Sequence, residues 1–353
     1  MASLETSTIP AVSVIVPARN EETCLSTCLE SLVAQERITK EIIVVDDHST
    51  DGTREIASSF RDVKVVEADR LRSGWTGKNN ALVTGARHAR GGWLLFTDAD
   101  TVHFPGSLAR AVAEAQSHTA DMLSYSPEQL AGTFWERAVM PVIFAELASV
   151  YRPSRVSDPD SPIAAANGQY LLIRREAYDA IGGHAAVADN LLEDVALARA
   201  MKRSGRKIFF RYGGDAVRTR MYRSFSQLRE GWTKNLVLLF PHPEVLAAFR
   251  LLEGGVFLAS VALLAAALAT QHLWLALGFA LPPALILKRI SRAHFSWSTN
   301  LLAPIGLFTF SSLLVRSIQA HSRGGVEWKG RKYSGVSNES TAKRSPEVLA
   351  DSR

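Results

Sequence analysis

Five short apolar runs divide the first 125 residues, and a stretch with helical spacing follows each of the first four. The runs are VSVIVP (Val12–Pro17), EIIVVDD (Glu41–Asp47), VKVVEA (Val63–Ala68), WLLFTDAD (Trp93–Asp100) and ADMLSY (Ala120–Tyr125). They are near-continuous rather than alternating, as expected of strands covered on both faces. Helical patterns at Thr23–Gln35, Thr53–Phe60, Asn79–Arg90 and Gly106–Ser117 lie between them, with turn signals at DGT (51–53) and RGG (90–92). This order predicts βαβ units, hence an α/β fold on a mostly parallel sheet flanked by helices. Further strands are expected at Gln169–Ile173 and Lys207–Gly213, and a helix opening near Asn190–Glu193. Gly132–Arg152 reads as a long apolar helix interrupted by Pro141, and RPSRVSDPDSP after it as loop.

The chain changes character after about Leu236. Gly254–Thr270, Leu273–Leu287 and Leu301–Val315 carry no charge. A membrane span needs about 20 residues. The first segment reaches that with its neighbours; the others are short and contain Pro282, Pro283 and Pro304. Three such segments in succession exceed what a soluble core of this size offers, so membrane-associated helices are expected over 236–320. KRISRAH (Lys288–His294) belongs on the cytoplasmic side by the positive-inside rule. Three full spans would place EWKGRKY (Glu327–Tyr333) on the opposite side. A third segment that only dips in, bent at Pro304–Gly306, would keep the two together. The expected location is the cell (inner) membrane, multi-pass or monotopic, with the preceding domain facing the cytoplasm. Residues 1–10 are expected to be flexible and 321–353 to form a basic, largely disordered tail. MASLETSTIP has neither the basic flank nor the apolar core of a secretory signal.

With 40 Lys+Arg against 35 Asp+Glu the formal charge is +5. No zinc finger, RNP motif or helix-turn-helix accompanies it, so no nucleic-acid partner is expected; an anionic membrane or ligand fits better. Cys24 and Cys28 stand four apart on a predicted helix, too few for a disulfide framework or a zinc site.

Several motifs fall where α/β sheets bind ligands, at the carboxyl ends of strands. In VIVPARNEE, Pro17 is read as ending the first strand, with Asn20 and Glu22 at the following helix start. Asp46 and Asp47 close the second strand, where a carboxylate can accept from a base N–H or a ribose hydroxyl. SGWTGKNNAL is a Gly-rich helix opening whose N–H groups and Lys78 suit a phosphate, though it is no Walker A loop. TDADT puts Asp98 and Asp100 at the end of a predicted central strand. Two carboxylates at that spacing repel unless a cation joins them, and Mg²⁺ or Mn²⁺ takes carboxylate and phosphate oxygens together. His103 is a further candidate ligand or a structural histidine. Glu193–Asp194 caps a helix or supplies a general base. RTRMYRSFSQLREGWTKN, with Tyr222 and Trp232, reads as a basic interfacial helix or as a loop closing over a diphosphate.

Taken in order, VIVPARNEE, IIVVDDHSTDGT, GKNNAL, TDADT, NGQYLLIRREAYDAIGGH and LLEDVAL resemble the family 2 glycosyltransferases over about Ala11–Asn235. The resemblance implies a GT-A fold: a Rossmann-like mixed, mostly parallel sheet over 11–235. It also implies inverting transfer from a nucleotide-diphosphate sugar, with Mg²⁺ or Mn²⁺ on the diphosphate. Asp46 and Asp47 would contact the nucleoside; Lys78 and Asp98 would lie along the nucleotide, with Pro17, Asn20, Glu22 and Trp232 also at the donor. Asp100, with Asp98 beside it, would ligate the metal, and Asp194 would be the base. The Gln-x-x-Arg-Trp of processive synthases is not reproduced; SQLREGWTKN gives Gln227-x-x-Glu230-Gly231-Trp232. The C-terminal region is more similar to the hopanoid-associated and carotenoid-type lipid glycosyltransferases, which implies a membrane lipid acceptor. The alternatives are a processive polysaccharide synthase and a non-catalytic nucleotide-sugar-binding protein.

Overall fold

The computed structural model describes residues 10–328 and 330–334. The strands are β1 (Val12–Ala18), β2 (Lys40–Asp46), β3 (Val63–Glu67), β4 (Trp93–Phe96), β5 (Thr101–His103), β6 (Met122–Ser126), β7 (Glu128–Gln129), β8 (Leu171–Arg174), β9 (Ile208–Tyr212), β10 (Val217–Thr219), β11 (Gly325–Trp328) and β12 (Arg331–Ser334). Helices α1 (Leu25–Val33), α2 (Thr53–Ser58), α3 (Gly77–His88), α4 (Ser107–Ser117), α5 (Phe134–Val150), α6 (Pro153–Ser157), α7 (Arg175–Ala180) and α8 (Glu193–Arg203) belong to the sheet region. Then follow α9 (Phe225–Leu239), α10 (Pro243–Ala269), α11 (Leu273–Ile290), α12 (Trp297–Asn300) and α13 (Ala303–Ser322).

The main sheet has seven strands in the order β3-β2-β1-β4-β8-β6-β9. Only β8 runs against its neighbours, so the sheet is mixed and mostly parallel. Alternation along β1 explains its unbroken apolar run. Val12, Val14 and Val16 join Leu25, Leu29 and Leu32 of α1 in one core, while Ile15 joins Ala81 and Leu82 of α3 in the other. β5, β10 and β7 make a small second sheet beside the carboxyl edge of the first.

A third core joins α5, α9 and α13 to the bases of α10 and α11, through Val139, Ile143, Trp232, Leu236, Ile290, Leu307 and Phe310. α5 starts with a Thr133–Glu136 capping box and runs through Pro141 without the expected interruption. α10 and α11 form an antiparallel pair whose outer surface is apolar and exposed, for example Leu252, Leu263, Trp274 and Leu277. Both are long and apolar enough to cross a membrane. The third uncharged segment behaves differently. It folds into α13, which buries Leu307, Phe310 and Leu314 against α5 and α9. A Cβ at Gly306 would run into the carbonyl of Ala138, so glycine lets the two helices touch backbone to backbone. At the base of the pair, Glu146 of α5 accepts from Arg250 and Arg289, and Glu253 pairs with both. This network ties both apolar helices to the sheet domain.

Three further expectations change. β4 stops at Phe96, so Asp98 and Asp100 sit in a turn rather than in extended chain. The tail expected to be disordered from 321 begins instead with the end of α13 and the β11–β12 hairpin, whose Val326 is buried; residues 335–353 lie outside the described residues. A short helix, α6, also occupies part of the expected loop.

Candidate active site

The carboxyl ends of β1, β2 and β4 open into a cleft of about 680 Å³. Its polar half is lined by Pro17, Asn20, Asp47, Lys78, Asp98, Asp100, Glu193 and Asp194. Its apolar half is lined by Phe144, Leu147 and Tyr151 near α5 and by Met221, Tyr222, Trp232 and Leu239 on and before α9.

Lys78 is the centre of the polar half. Its ammonium lies 2.8 Å from Asp98 and 2.8 Å from Glu193. Burial acts to lower its pKa, but the two carboxylates outweigh burial and hold it well above the usual lysine range. The start of α3 is stitched to the loop before α8: Thr76 N–H donates to the Ala188 carbonyl (2.8 Å), and Asn79 Nδ2 donates to the carbonyls of Val187, Ala188 and Asn190 (3.0–3.1 Å). Those bonds fix Lys78 opposite the first turn of α8. There Glu193 is held below the ordinary carboxylate range by Lys78 against the effect of its own burial. Asp194 is the opposite case. Burial, then the charge of Glu193, pushes its pKa up to about 6, while the Gly168 and Val195 N–H groups donate to its two oxygens at 2.8 Å. Lys234 of α9 lines the same cleft, and burial lowers its pKa to about 8.

The structure separates residues that the sequence reading grouped together. Asp47 lines the cleft; Asp46 does not, accepting instead from Ser49 N–H (3.1 Å) with Arg54 at 3.5 Å. Pro17 lines the cleft but lies inside β1, paired with Val45, so the strand ends one residue later. Asn20, in a left-handed conformation (φ 54°), accepts from Thr50 N–H (2.9 Å) and borders the cleft. Glu22 points outside it and clamps the same loop through Gly52 N–H (2.9 Å). His103 is buried among Thr97 and Thr101, with burial lowering its pKa to about 3, and it stays out of the cleft. Trp232 is 3% exposed on the apolar side, between Phe144 and Tyr222. Among the described residues Cys24 and Cys28 form no disulfide, and burial raises the Cys28 thiol to about 12. Sequence reasoning missed Asn79, Lys234 and Arg331. The last donates to both carboxylate oxygens of Asp47, at 2.5 and 3.0 Å; the basic WKGRKY stretch was its only signal.

Among the described residues no three His, Cys, Asp or Glu side chains gather into a ready-made metal cage. The donors available are the Asp98 and Asp100 carboxylates on one turn. That set fits a hard cation whose coordination is completed by phosphate oxygens of a ligand, as Mg²⁺ sites commonly are.

This mixed sheet, with its cleft at the carboxyl edge, is a GT-A-like fold. The family model for Glycosyl transferase family 2 matches residues 13–182, so the chain carries a domain of that family and is a glycosyltransferase. Two 4,4'-diaponeurosporenoate glycosyltransferases of Staphylococcus aureus, strains MRSA252 and USA300, are each 28% identical to it over 343 and 339 residues, covering 92% of this chain and 88% of theirs. A mannosyltransferase from Pyrobaculum calidifontis, solved with GDP-Man and Mn2+, shares the fold at TM-score 0.51 and 21% identity, covering 89% of this chain and 87% of that one.

Proposed function

We propose that this chain transfers a sugar, with inversion, from a nucleotide-diphosphate sugar to an isoprenoid-like lipid delivered from the membrane. One observation carries the reading: a single cleft joins a charged half, organised by Lys78, to an apolar half at the foot of the α10–α11 pair. The carotenoid-type relatives support a lipid acceptor.

The donor nucleoside lies by Pro17, Asn20 and Asp47, with its diphosphate near Lys78, Asp98 and Asp100. Asp98 and Asp100 would hold Mg²⁺ or Mn²⁺, which when bound supplies Lewis-acid stabilisation of the leaving diphosphate. Lys78 adds a fixed positive charge on the same side. Asp194, with its pKa near 6, is ionised at neutral pH and basic enough to take a proton. The acceptor oxygen attacks the anomeric carbon, its proton passes to an Asp194 oxygen, and the bond to the diphosphate breaks with its electron pair on the leaving group. The Gly168 and Val195 N–H groups hold Asp194 in place for that transfer. Phe144, Leu147 and Tyr151 offer the acceptor chain an apolar path.

The ends of the α10–α11 pair that meet the domain carry Arg250, Lys288, Arg289 and Arg292. By the positive-inside rule this supports a cytoplasmic catalytic domain. With α13 folded back, KRISRAH and the hairpin lie on that same side. The test is transfer from labelled nucleotide sugars to lipid extract with product length determined. A single sugar on a lipid supports the reading, and a polymer sinks it.

A further inference from the structure

Asp47 is unusually constrained for a residue at a strand end. Its N–H donates to Ala18 O (2.8 Å), its carbonyl accepts from Arg19 (2.8 Å), and its carboxylate takes both forks of the Arg331 guanidinium. Such a bidentate pair fixes direction as well as charge. Arg331 comes from the other end of the chain, 284 residues away. It lies across the first turn of α3. A Cβ on Gly77 would collide with its guanidinium and crowd the Asp47 carboxylate, so Gly77 is bare to admit the arginine. The hairpin that delivers it packs on α9 and α13.

The pair borders the cleft without filling it, because Asp47, Arg331 and Tyr333 line the same open space as Pro17 and Asn20. Seven acids line that space: Glu21, Asp47, Asp98, Asp100, Glu193, Asp194 and Glu230. Lys78 is already engaged by two of them. Arg19, Arg220, Arg223 and Lys234 also line the space, yet with the charge of Asp47 left bare a diphosphate entering beside it meets added repulsion. Arg331 neutralises that charge. The pair also presents an acceptor beside a donor, which matches a nucleobase edge with a ring N–H next to a carbonyl.

We propose that Arg331 is a donor-positioning residue: with Asp47 it forms one wall of the nucleoside subsite, so the C-terminal hairpin completes that subsite. The inference rests on the nucleotide-sugar reading above. The test uses full-length, detergent-solubilised protein. UDP and GDP binding is measured by calorimetry, and nucleotide release is measured with UDP- and GDP-sugars. Arg331→Ala is expected to weaken nucleotide binding and raise donor KM by about tenfold or more, the size of a lost charge-assisted contact, with kcat changed far less. Arg331→Lys restores part of the loss. Adding Asp47→Asn to Arg331→Ala also recovers part, by removing the unmasked charge. If wild-type protein binds nucleotide and Arg331→Ala binds it equally well, or more tightly as for a displaced plug, this inference alone is overturned. If the wild type binds neither UDP nor GDP and releases neither, the nucleotide-sugar reading falls and takes the inference with it.

Discussion

At the scale of single residues, Glu193 and Asp194 show how adjacent carboxylates acquire different chemistry. Lys78 touches Glu193 and keeps it ionised; burial and the charge of Glu193 raise its neighbour to about 6. A base must be unprotonated to act, so raising its pKa moves the loss of activity upward in pH. Transfer should therefore be full at neutral pH and fall about tenfold per unit below pH 6. A pH–rate profile for kcat/KM checks this, and a profile flat down to pH 4 would remove Asp194 as the base. Asp194→Asn should cost about 10²–10⁴-fold in kcat, the usual contribution of a positioned base. Asp98 and Asp100 carry a separate expectation. A chelator should abolish transfer and Mg²⁺ or Mn²⁺ restore it, whereas Asp100→Ala should not be restored at the same metal concentration. The sequence placed Asp47, Asp98, Asp100 and Asp194 among the acids of the sheet's carboxyl edge, but not which way each acid there faces. Successive side chains of a strand point to opposite sides. With Asp47 turned into the cleft, Asp46 at the end of β2 faces away, toward Ser49 and Arg54. Pairing both aspartates with the nucleoside ignored that alternation.

Among the elements, the parallel strands were legible because both their faces are covered, which leaves an apolar signature in the chain itself. α13 was not legible in that way. Its uncharged stretch has the composition of a membrane segment, and only its partners decide that it packs on α5 and α9. Gly306 records that packing, since backbone contact with Ala138 leaves no room for a side chain. Gly306→Val should therefore destabilise the protein by about 1–3 kcal/mol, the ordinary cost of overpacking. Thermal unfolding in detergent measures it. An unchanged midpoint would mean that α13 and α5 do not meet as described. The hairpin was also hidden. Its strands are four residues each, and the bonds between Arg331 and Asp47 span nearly the whole chain, beyond the reach of local pattern.

For the whole molecule, a charged site has to work beside an apolar platform. The Glu146–Arg250–Glu253–Arg289 network holds the foot of the α10–α11 pair to α5, and α5 also borders the acceptor side of the cleft. On the proposed function, membrane attachment and acceptor access are thereby set by the same helix, and the donor side by the sheet and hairpin. These two halves should separate by mutation. Leu263 and Leu277 are exposed in the last third of α10 and the second turn of α11. A glutamate at each puts a charge where lipid tails are expected, at a cost of up to about 2.5–3.5 kcal/mol per site, the figure for a charged residue at a helix centre in a bilayer. Leu263→Glu/Leu277→Glu should lose co-sedimentation with anionic vesicles and lose transfer to lipid. Stabilisation by nucleotide sugar in a thermal-shift assay should remain, because binding to the native state raises apparent stability wherever the donor site is intact. Retained vesicle binding would show that the pair does not enter the membrane. Loss of the nucleotide-sugar shift along with vesicle binding would show that the apolar helices support the donor half as well.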